Sequence, residues 1–202
     1  MALALATTSL EAPAALLQPA QPARSTLPVA PPLDALFPYG GMVRGSIVAV
    51  DSLTVALALL APTSAAGGWC AAAGLPDLGL AAVADAGIDL SRFAVVAAPV
   101  EQWAVAIATL LDGVGAVLTK PPARVKPGDA RRLAARVRER RGVLLVYGGW
   151  PEQVDLRIQV AASEWTGLSD GYGRLQRRRA DLTASGRGAA ARERRVTAWL
   201  PH

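Results

Sequence analysis

Five short apolar segments, each followed by a stretch of helical character, most constrain how this chain folds. The segments are typical of buried strands and span residues 46–50, 68–73, 93–97, 116–119 and 143–147. The helices predicted between them span residues 52–61, 77–86, 100–112 and 128–141. Strands that alternate with helices favour a mostly parallel sheet with helices on both faces. The sequence therefore predicts a parallel α/β core over residues 32–150.

The pattern changes after Trp150. Segments 154–168, 173–185 and 194–201 are rich in alternating apolar and polar residues, and glycine-containing turns separate them. Alternation of this kind is typical of strands with one buried face. We predict that residues 151–202 add a basic, antiparallel extension to the parallel sheet.

The first 31 residues are rich in Ala, Pro, Thr and Gln and show little periodicity. They predict a mostly disordered arm ahead of a single domain over residues 32–202. Glu11 and the lack of a positively charged start argue against a signal peptide. Proline and glycine interrupt the uncharged stretch between Asp51 and Asp77, which argues against a membrane span. We expect a soluble, cytoplasmic protein.

Several kinds of site are excluded by residue counts. Cys70 is the only cysteine and His202 the only histidine. A disulfide framework and a multi-cysteine metal site therefore cannot form within the chain. Because the single histidine is the last residue, we do not expect a Ser-His-Asp or Cys-His catalytic set. Cys70 lies in a predicted buried strand, where an inert core thiol is expected. We expect neither a metal nor a cofactor.

Charge is distributed unevenly along the chain. Residues 1–119 carry 3 basic and 8 acidic groups, whereas residues 120–202 carry 18 basic and 8 acidic groups. The sharpest clusters of the basic part are arginines: Arg177, Arg178, Arg179, Arg187, Arg194 and Arg195. If the last two lie on a strand beside the first three, all five form one positive patch. The patch would bind a partner protein or nucleic acid, or would serve only as a solvated surface.

The five tryptophans divide into two predicted groups. Trp150 and Trp165 adjoin turns, so we predict that they are exposed and anchor an interface. Trp69, Trp103 and Trp199 are predicted to lie in the core.

The order of motifs resembles the RecA ATPase core. The stretch "LDALFPYGGMVRGSIVAV" (33–50) is similar to the segment that leads into the phosphate loop of RecA-type proteins. A closer resemblance, over residues 32–202, is to the ImuA′ family, short actinobacterial RecA-like proteins of the DNA-damage mutasome. It depends on "WCAAAGLPDLGL", "ARRLAARVRER", "GLSDGYGRLQRRR" and "GRGAAARERRVTAWLP". The resemblance implies a RecA-like, P-loop-type fold.

The phosphate loop that this fold implies is degenerate. A Walker A loop needs a glycine-rich backbone, a lysine for the phosphates and a hydroxyl for Mg²⁺. Here the vestigial region Asp51, Ser52 and Thr54 offers hydroxyls but no Gly-Lys pair. Lys120 stands where the fourth strand of an ATPase would end in a metal-binding acid, and Gly74 where a catalytic glutamate is expected. We therefore predict that the protein is not an enzyme.

The resemblance also implies a function and partners. It implies a non-catalytic adaptor in translesion DNA synthesis that binds ImuB, an inactive Y-family polymerase relative. Through that partner it would serve an error-prone C-family polymerase and the sliding clamp, on the nucleoid after DNA damage. DNA is a further candidate ligand. The alternatives are an ATPase completed in trans and a damage-inducible regulator of cell division.

Overall fold

The computed structural model describes residues 25–169 and 172–200, with the backbone alone described at residues 168–169 and 172–176. Its strands are β1 (Thr26–Pro28), β2 (Gly41–Val43), β3 (Ile47–Val50), β4 (Cys70–Ala73), β5 (Phe93–Val96), β6 (Ala116–Thr119), β7 (Val143–Tyr147), β8 (Leu156–Ser169), β9 (Tyr172–Gly186) and β10 (Arg194–Leu200). Its α-helices are α1 (Leu53–Ala65), α2 (Leu80–Asp85), α3 (Trp103–Gly113) and α4 (Pro127–Arg140).

Eight of the strands form one mixed sheet in the order β10-β9-β8-β3-β7-β6-β4-β5. The strands from β3 to β5 in this order are parallel, and β8 continues parallel to β3. β9 runs antiparallel to both β8 and β10. The prediction of an α/β fold with a mostly parallel sheet and an antiparallel C-terminal extension is confirmed.

The helices begin or end one to four residues away from their predicted bounds. α1 continues past Pro62 to Ala65, although the sequence predicted an end before the proline. Proline removes one amide donor from a helix but does not always end it, and here Ala66 N–H still bonds to Pro62 O. α2 begins at Leu80, three residues later than predicted, and Gly79 precedes it without a side-chain cap.

Apolar side chains from alternate positions of the strands build a cluster on each side of the sheet. One cluster packs the sheet against α1 and α2 and continues under the antiparallel strands to Leu200. The other packs Ile47 and Leu144 against α3 and α4. α1 is buried over most of its circumference through Val55, Ala56, Leu57, Leu59 and Leu60. Helices therefore pack on both faces of the parallel strands. The antiparallel strands extend beyond α3 and α4, so the second cluster does not continue under them.

The predicted arm extends to residue 31, but its last residues belong to the fold. β1 pairs with β2 in a small antiparallel sheet, and Leu27 is buried in the first apolar cluster. The short run Leu27–Val29 gave too little alternation to predict a strand. The rest of the arm, up to residue 24, lies outside the described residues. Within the described residues, no helix is both long and apolar enough to cross a membrane.

Candidate functional site

The sequence predicts a vestigial phosphate-loop region at the end of β3. In the structure, the side chains of this region form hydrogen bonds within the protein. Both oxygens of the Asp51 carboxylate accept hydrogen bonds from Val160 N–H of β8, at 3.1 Å each. Ser52 caps α1, because its Oγ accepts a bond from Val55 N–H at 3.5 Å. Thr54 is half-buried in the first turn of the helix. A negative charge therefore lies beside the start of α1, the kind of place where anions bind in other proteins.

The ends of β4 and β6 are joined by a buried hydroxyl. Thr119 Oγ1 donates to Ala73 O at 2.9 Å and accepts from Trp103 Nε1 at 2.8 Å. The residue is fully buried. Beside it lies a groove of about 500 Å³ lined mainly by apolar residues, with Lys120 at its rim. The Lys120 ammonium lies 5.8 Å from the centroid of the Tyr147 ring. These strand ends therefore present a mostly apolar surface with one basic side chain, Lys120, in the groove lining.

The predictions for three tryptophans are wrong. Trp150 is buried rather than exposed, with its ring centroid 6.2 Å from that of Trp103. Trp69 and Trp199, predicted to be core residues, are 48% and 56% exposed. Trp165 is exposed as predicted, and the guanidinium of Arg178 lies 5.7 Å from its ring centroid. Trp150 therefore stabilises the core and anchors no interface.

The register of the last strands separates the two arginine clusters. Arg194 and Arg195 pair with Ala184 and Thr183, whereas Leu200 and Trp199 pair with Arg178 and Arg179. Three residues of β9 lie between Arg179 and Thr183, so their Cα atoms are four steps, or about 14 Å, apart along the strand. The prediction of one five-arginine patch is therefore wrong.

Arg187 lies apart from both clusters and joins three strands. Its guanidinium donates to Asp155 Oδ1 through Nε at 3.0 Å and through Nη2 at 2.6 Å. Asp155 Oδ2 in turn accepts from Ile47 N–H at 2.9 Å. This ion pair fixes the start of β8 and the end of β9 to the start of β3, so Arg187 has a structural role.

One side of the antiparallel extension is uncovered, and we call it the open face. Its members alternate along each strand with residues that point into the core. They include Arg157, Gln159, Ala162, Glu164 and Thr166 of β8, Arg177, Arg179, Asp181, Thr183 and Ser185 of β9, and Arg195, Thr197 and Trp199 of β10. All of them are at least partly exposed, whereas Ala180, Leu182 and Leu200 on the other side are buried. Arg178 belongs to that other side, with Trp165.

Sequence reasoning missed Trp199 as a surface residue, although a signal was present. In "RRVTAWL" the apolar Val196, Ala198 and Leu200 alternate with Arg195, Thr197 and Trp199. A period of two places the tryptophan on the polar side of the strand. The aromatic character of Trp199 suggested a core position, but its place in the alternation indicates an exposed one.

Cys70 lies in β4 and is buried, as the sequence predicted. Burial raises the pKa of its thiol to about 11, so little reactive thiolate forms near neutral pH. No cluster of three or more potential metal ligands occurs among the residues that the structure describes.

Comparisons with known proteins identify relatives of the parallel core. A family model described as the MT3502 N-terminal domain matches residues 35–152. The uncharacterized protein Rv3395c of Mycobacterium tuberculosis (strain ATCC 25618 / H37Rv) is 35% identical over 139 residues, which cover 65% of this chain and 68% of that protein.

The crystal structure of SulA from Pseudomonas aeruginosa covers 52% of this chain and 97% of its own, with 17% identity and a TM-score of 0.40. That likeness is too slight to assign a fold. The family match covers more than half of the chain. It begins within the short 3-10 helix Leu33–Leu36 before β2 and ends in the turn before β8. The chain therefore belongs to the family of the MT3502 N-terminal domain.

Proposed function

We propose that this protein is a non-catalytic, RecA-like adaptor of the ImuA′ type that serves DNA-damage-induced mutagenesis. In this proposal the fold is of the P-loop type with a degenerate phosphate loop. The protein binds an ImuB-like Y-family polymerase relative directly. It acts through that partner on an error-prone C-family polymerase and the sliding clamp.

One observation carries the non-catalytic part of the proposal. Where a RecA-type ATPase would hold phosphate and metal, the strand ends of this protein bond to the protein itself. The carboxylate of Asp51 binds the amide of Val160, and the hydroxyl of Thr119 binds Ala73 and Trp103. A carboxylate beside the first turn of α1 repels phosphate. This arrangement supports an adaptor over an ATPase.

The pathway is supported by sequence resemblance and by the family. The quoted motifs span the parallel core and the arginine-rich extension. A mycobacterial relative at 35% identity fits an actinobacterial type of protein. The exposed arginines and Trp165 of the extension offer residue types that concentrate in binding surfaces.

ATP hydrolysis by the purified protein tests the non-catalytic part. We expect no turnover above background, with or without DNA and the ImuB-like partner. We expect the same for a variant in which a glycine-lysine loop replaces residues 50–54, because β6 still ends in Thr119. Turnover that appears with either addition would support an ATPase completed in trans and would overturn the proposal.

Genetic loss tests the pathway. Deletion of the gene should abolish damage-induced mutations while leaving cell division normal, and the wild-type gene should restore them. Copurification with the ImuB-like protein should follow. Filamentous cells on overexpression together with unchanged mutation frequency on deletion would instead favour a division regulator.

A further inference from the structure

The open face is unusual because none of the α-helices in the described part of the chain packs on it, although helices cover both sides of the parallel strands. Ala180, Leu182 and Ala198, on the opposite side of the same strands, are buried in the first apolar cluster. The open face itself is exposed and mostly polar. It presents a three-stranded surface to a binding partner.

Two arginines in the middle of the open face form no ion pair with any residue that the structure describes. Among the side chains that the structure describes, no acid lies within ion-pair distance of Arg177 or Arg179, and both are exposed. Arg195 differs, since its Nε lies 2.7 Å from Glu193 Oε1. A guanidinium without an internal carboxylate can bind an external anion through two parallel hydrogen bonds.

The spacing of these arginines suits a repeating anion. They lie two residues apart on one strand and point to the same side, so their Cα atoms are about 7 Å apart. That separation is of the order of the distance between neighbouring phosphates of an extended nucleic-acid strand. The two guanidiniums can therefore bind successive phosphates.

Trp199 adds an aromatic surface beside the arginines. It pairs directly with Arg179 on the neighbouring strand and is 56% exposed. Bases of single strands stack on exposed aromatic rings carried by open sheets, because every base has a π-face. A duplex keeps its bases stacked inside and offers the ring no such partner.

We infer that the open face binds single-stranded nucleic acid, with phosphates at Arg177 and Arg179 and a base stacked on Trp199. An acidic protein is a weaker fit, since protein interfaces are built around an apolar core. Trp199 is the one large apolar side chain among the described members of the open face. The inference does not depend on the proposed pathway.

Two acids lie beside the arginines on the open face, and one of them opposes phosphate binding. Asp181 is engaged, because its Oδ1 accepts the Thr197 hydroxyl at 2.6 Å. Glu164 is exposed and pairs across the strands with Arg179. Its charge repels a phosphate at Arg179, so Glu164→Gln should strengthen nucleic-acid binding.

Fluorescence anisotropy of a labelled thymidine oligonucleotide of about 16 nucleotides tests the inference on the full-length protein. At about 50 mM salt, Arg177→Ser with Arg179→Ser should weaken binding at least about tenfold and reduce its salt dependence. Trp199→Ala should weaken it about fivefold or more, whereas Trp199→Phe should retain most of it. Glu164→Gln should tighten it.

The matched control removes two arginines from another surface. Arg131→Ser with Arg132→Ser takes the same charge from α4, where both side chains are highly exposed. It should change binding less than about threefold. Equal losses in both double variants, or no loss in Trp199→Ala, would overturn the inference. It would also be overturned if the open-face variants lost an acidic protein partner while oligonucleotide binding stayed unchanged. Circular dichroism of each variant checks that it is folded.

Discussion

At the scale of single residues, Thr119 shows how one neutral hydroxyl joins two strands and a helix. It is both donor and acceptor, so it satisfies Ala73 O and Trp103 Nε1 at once. A carboxylate in this place accepts hydrogen bonds but cannot donate one to the carbonyl oxygen. The hydroxyl thus joins β4, β6 and α3 without placing a buried charge in the core.

Replacement of Thr119 by Val should therefore destabilise the protein. The variant keeps the shape of the side chain but leaves a buried indole N–H and a buried carbonyl without their partner. We expect a loss of about 1–3 kcal/mol in the free energy of unfolding, measured by urea denaturation. Thr109→Val is the control, because the Thr109 hydroxyl bonds only to Val105 O on the exposed side of α3. A similar effect of both variants would contradict this role of Thr119.

At the scale of elements, α1 is buried by its position between the sheet and several neighbours. Its Leu57 lies in the first apolar cluster and is 4% exposed. Leu57→Asp should cost several kcal/mol of stability, about 3 or more, because it buries an unpaired charge. Val105→Asp introduces the same charge on α3 at a residue that is 68% exposed, and it should have little effect. Thermal denaturation compares the two variants. Unchanged melting of Leu57→Asp would show that α1 is not part of the core.

The contact between α3 and α4 adds a pH-dependent element. Arg136 hydrogen-bonds to Asp112 and, with Arg140 nearby, holds the pKa of that carboxyl below its ordinary value. A lowered pKa in the folded state stabilises the fold above the unfolded pKa of about 3.9. That stabilisation is lost as the pH falls through the lower, folded value.

Asp112→Asn should consequently make the stability of the protein less dependent on pH in acidic solution. The melting temperature of the variant should fall less between pH 5 and strongly acidic solution than that of the wild type, and high salt should reduce the difference, because the pair is partly exposed. Asp77→Asn, at an exposed residue with no ion pair among the described residues, serves as control. Parallel curves for Asp112→Asn and wild type would contradict the role of this pair.

At the scale of the whole molecule, the two apolar clusters share one sheet. β3 contributes Val48 to the first cluster and Ile47 to the second, and β7 divides in the same way. Neither cluster can lose its packing without exposing strands that support the other. We expect the described domain to unfold in one cooperative transition.

Two probes and one core variant test this cooperativity. Tryptophan fluorescence reports mainly on the pair Trp103 and Trp150 in the second cluster, whereas far-ultraviolet circular dichroism reports on the whole fold. Their urea midpoints should coincide in the wild type. They should shift together in Ile107→Ala. The cavity that this substitution leaves in the core should lower the free energy of unfolding by about 2–5 kcal/mol. Midpoints that separate in the variant would indicate two independent units.

The sequence predicted the strands and the fold class well because these depend on local patterns. β6 and β7 have the predicted bounds, and all three strands of the extension occur where alternation indicated them. Register and burial depend on contacts far apart in the sequence. A short helical turn at Gly188–Ala190 lengthens the connection before β10 and moves Arg194 away from Arg179. Trp150 is buried because it meets Trp103, a contact that no local pattern encodes.

The hydrogen bond at the end of β3 has a consequence for solubility. β3 pairs with β8 only as far as Ile158, and the residues from 161 to 166 are all exposed. The Asp51 carboxylate binds Val160 N–H, the first amide of β8 beyond its pairing with β3. Its charge discourages a strand of another chain from pairing with this edge of β8. Asp51→Ala should therefore self-associate as its concentration rises, whereas Asp51→Asn keeps a carbonyl acceptor and should remain nearer to wild type. Light scattering over a concentration series would reveal the difference, and an Asp51→Ala protein as monodisperse as the wild type would show that this edge is protected by other means.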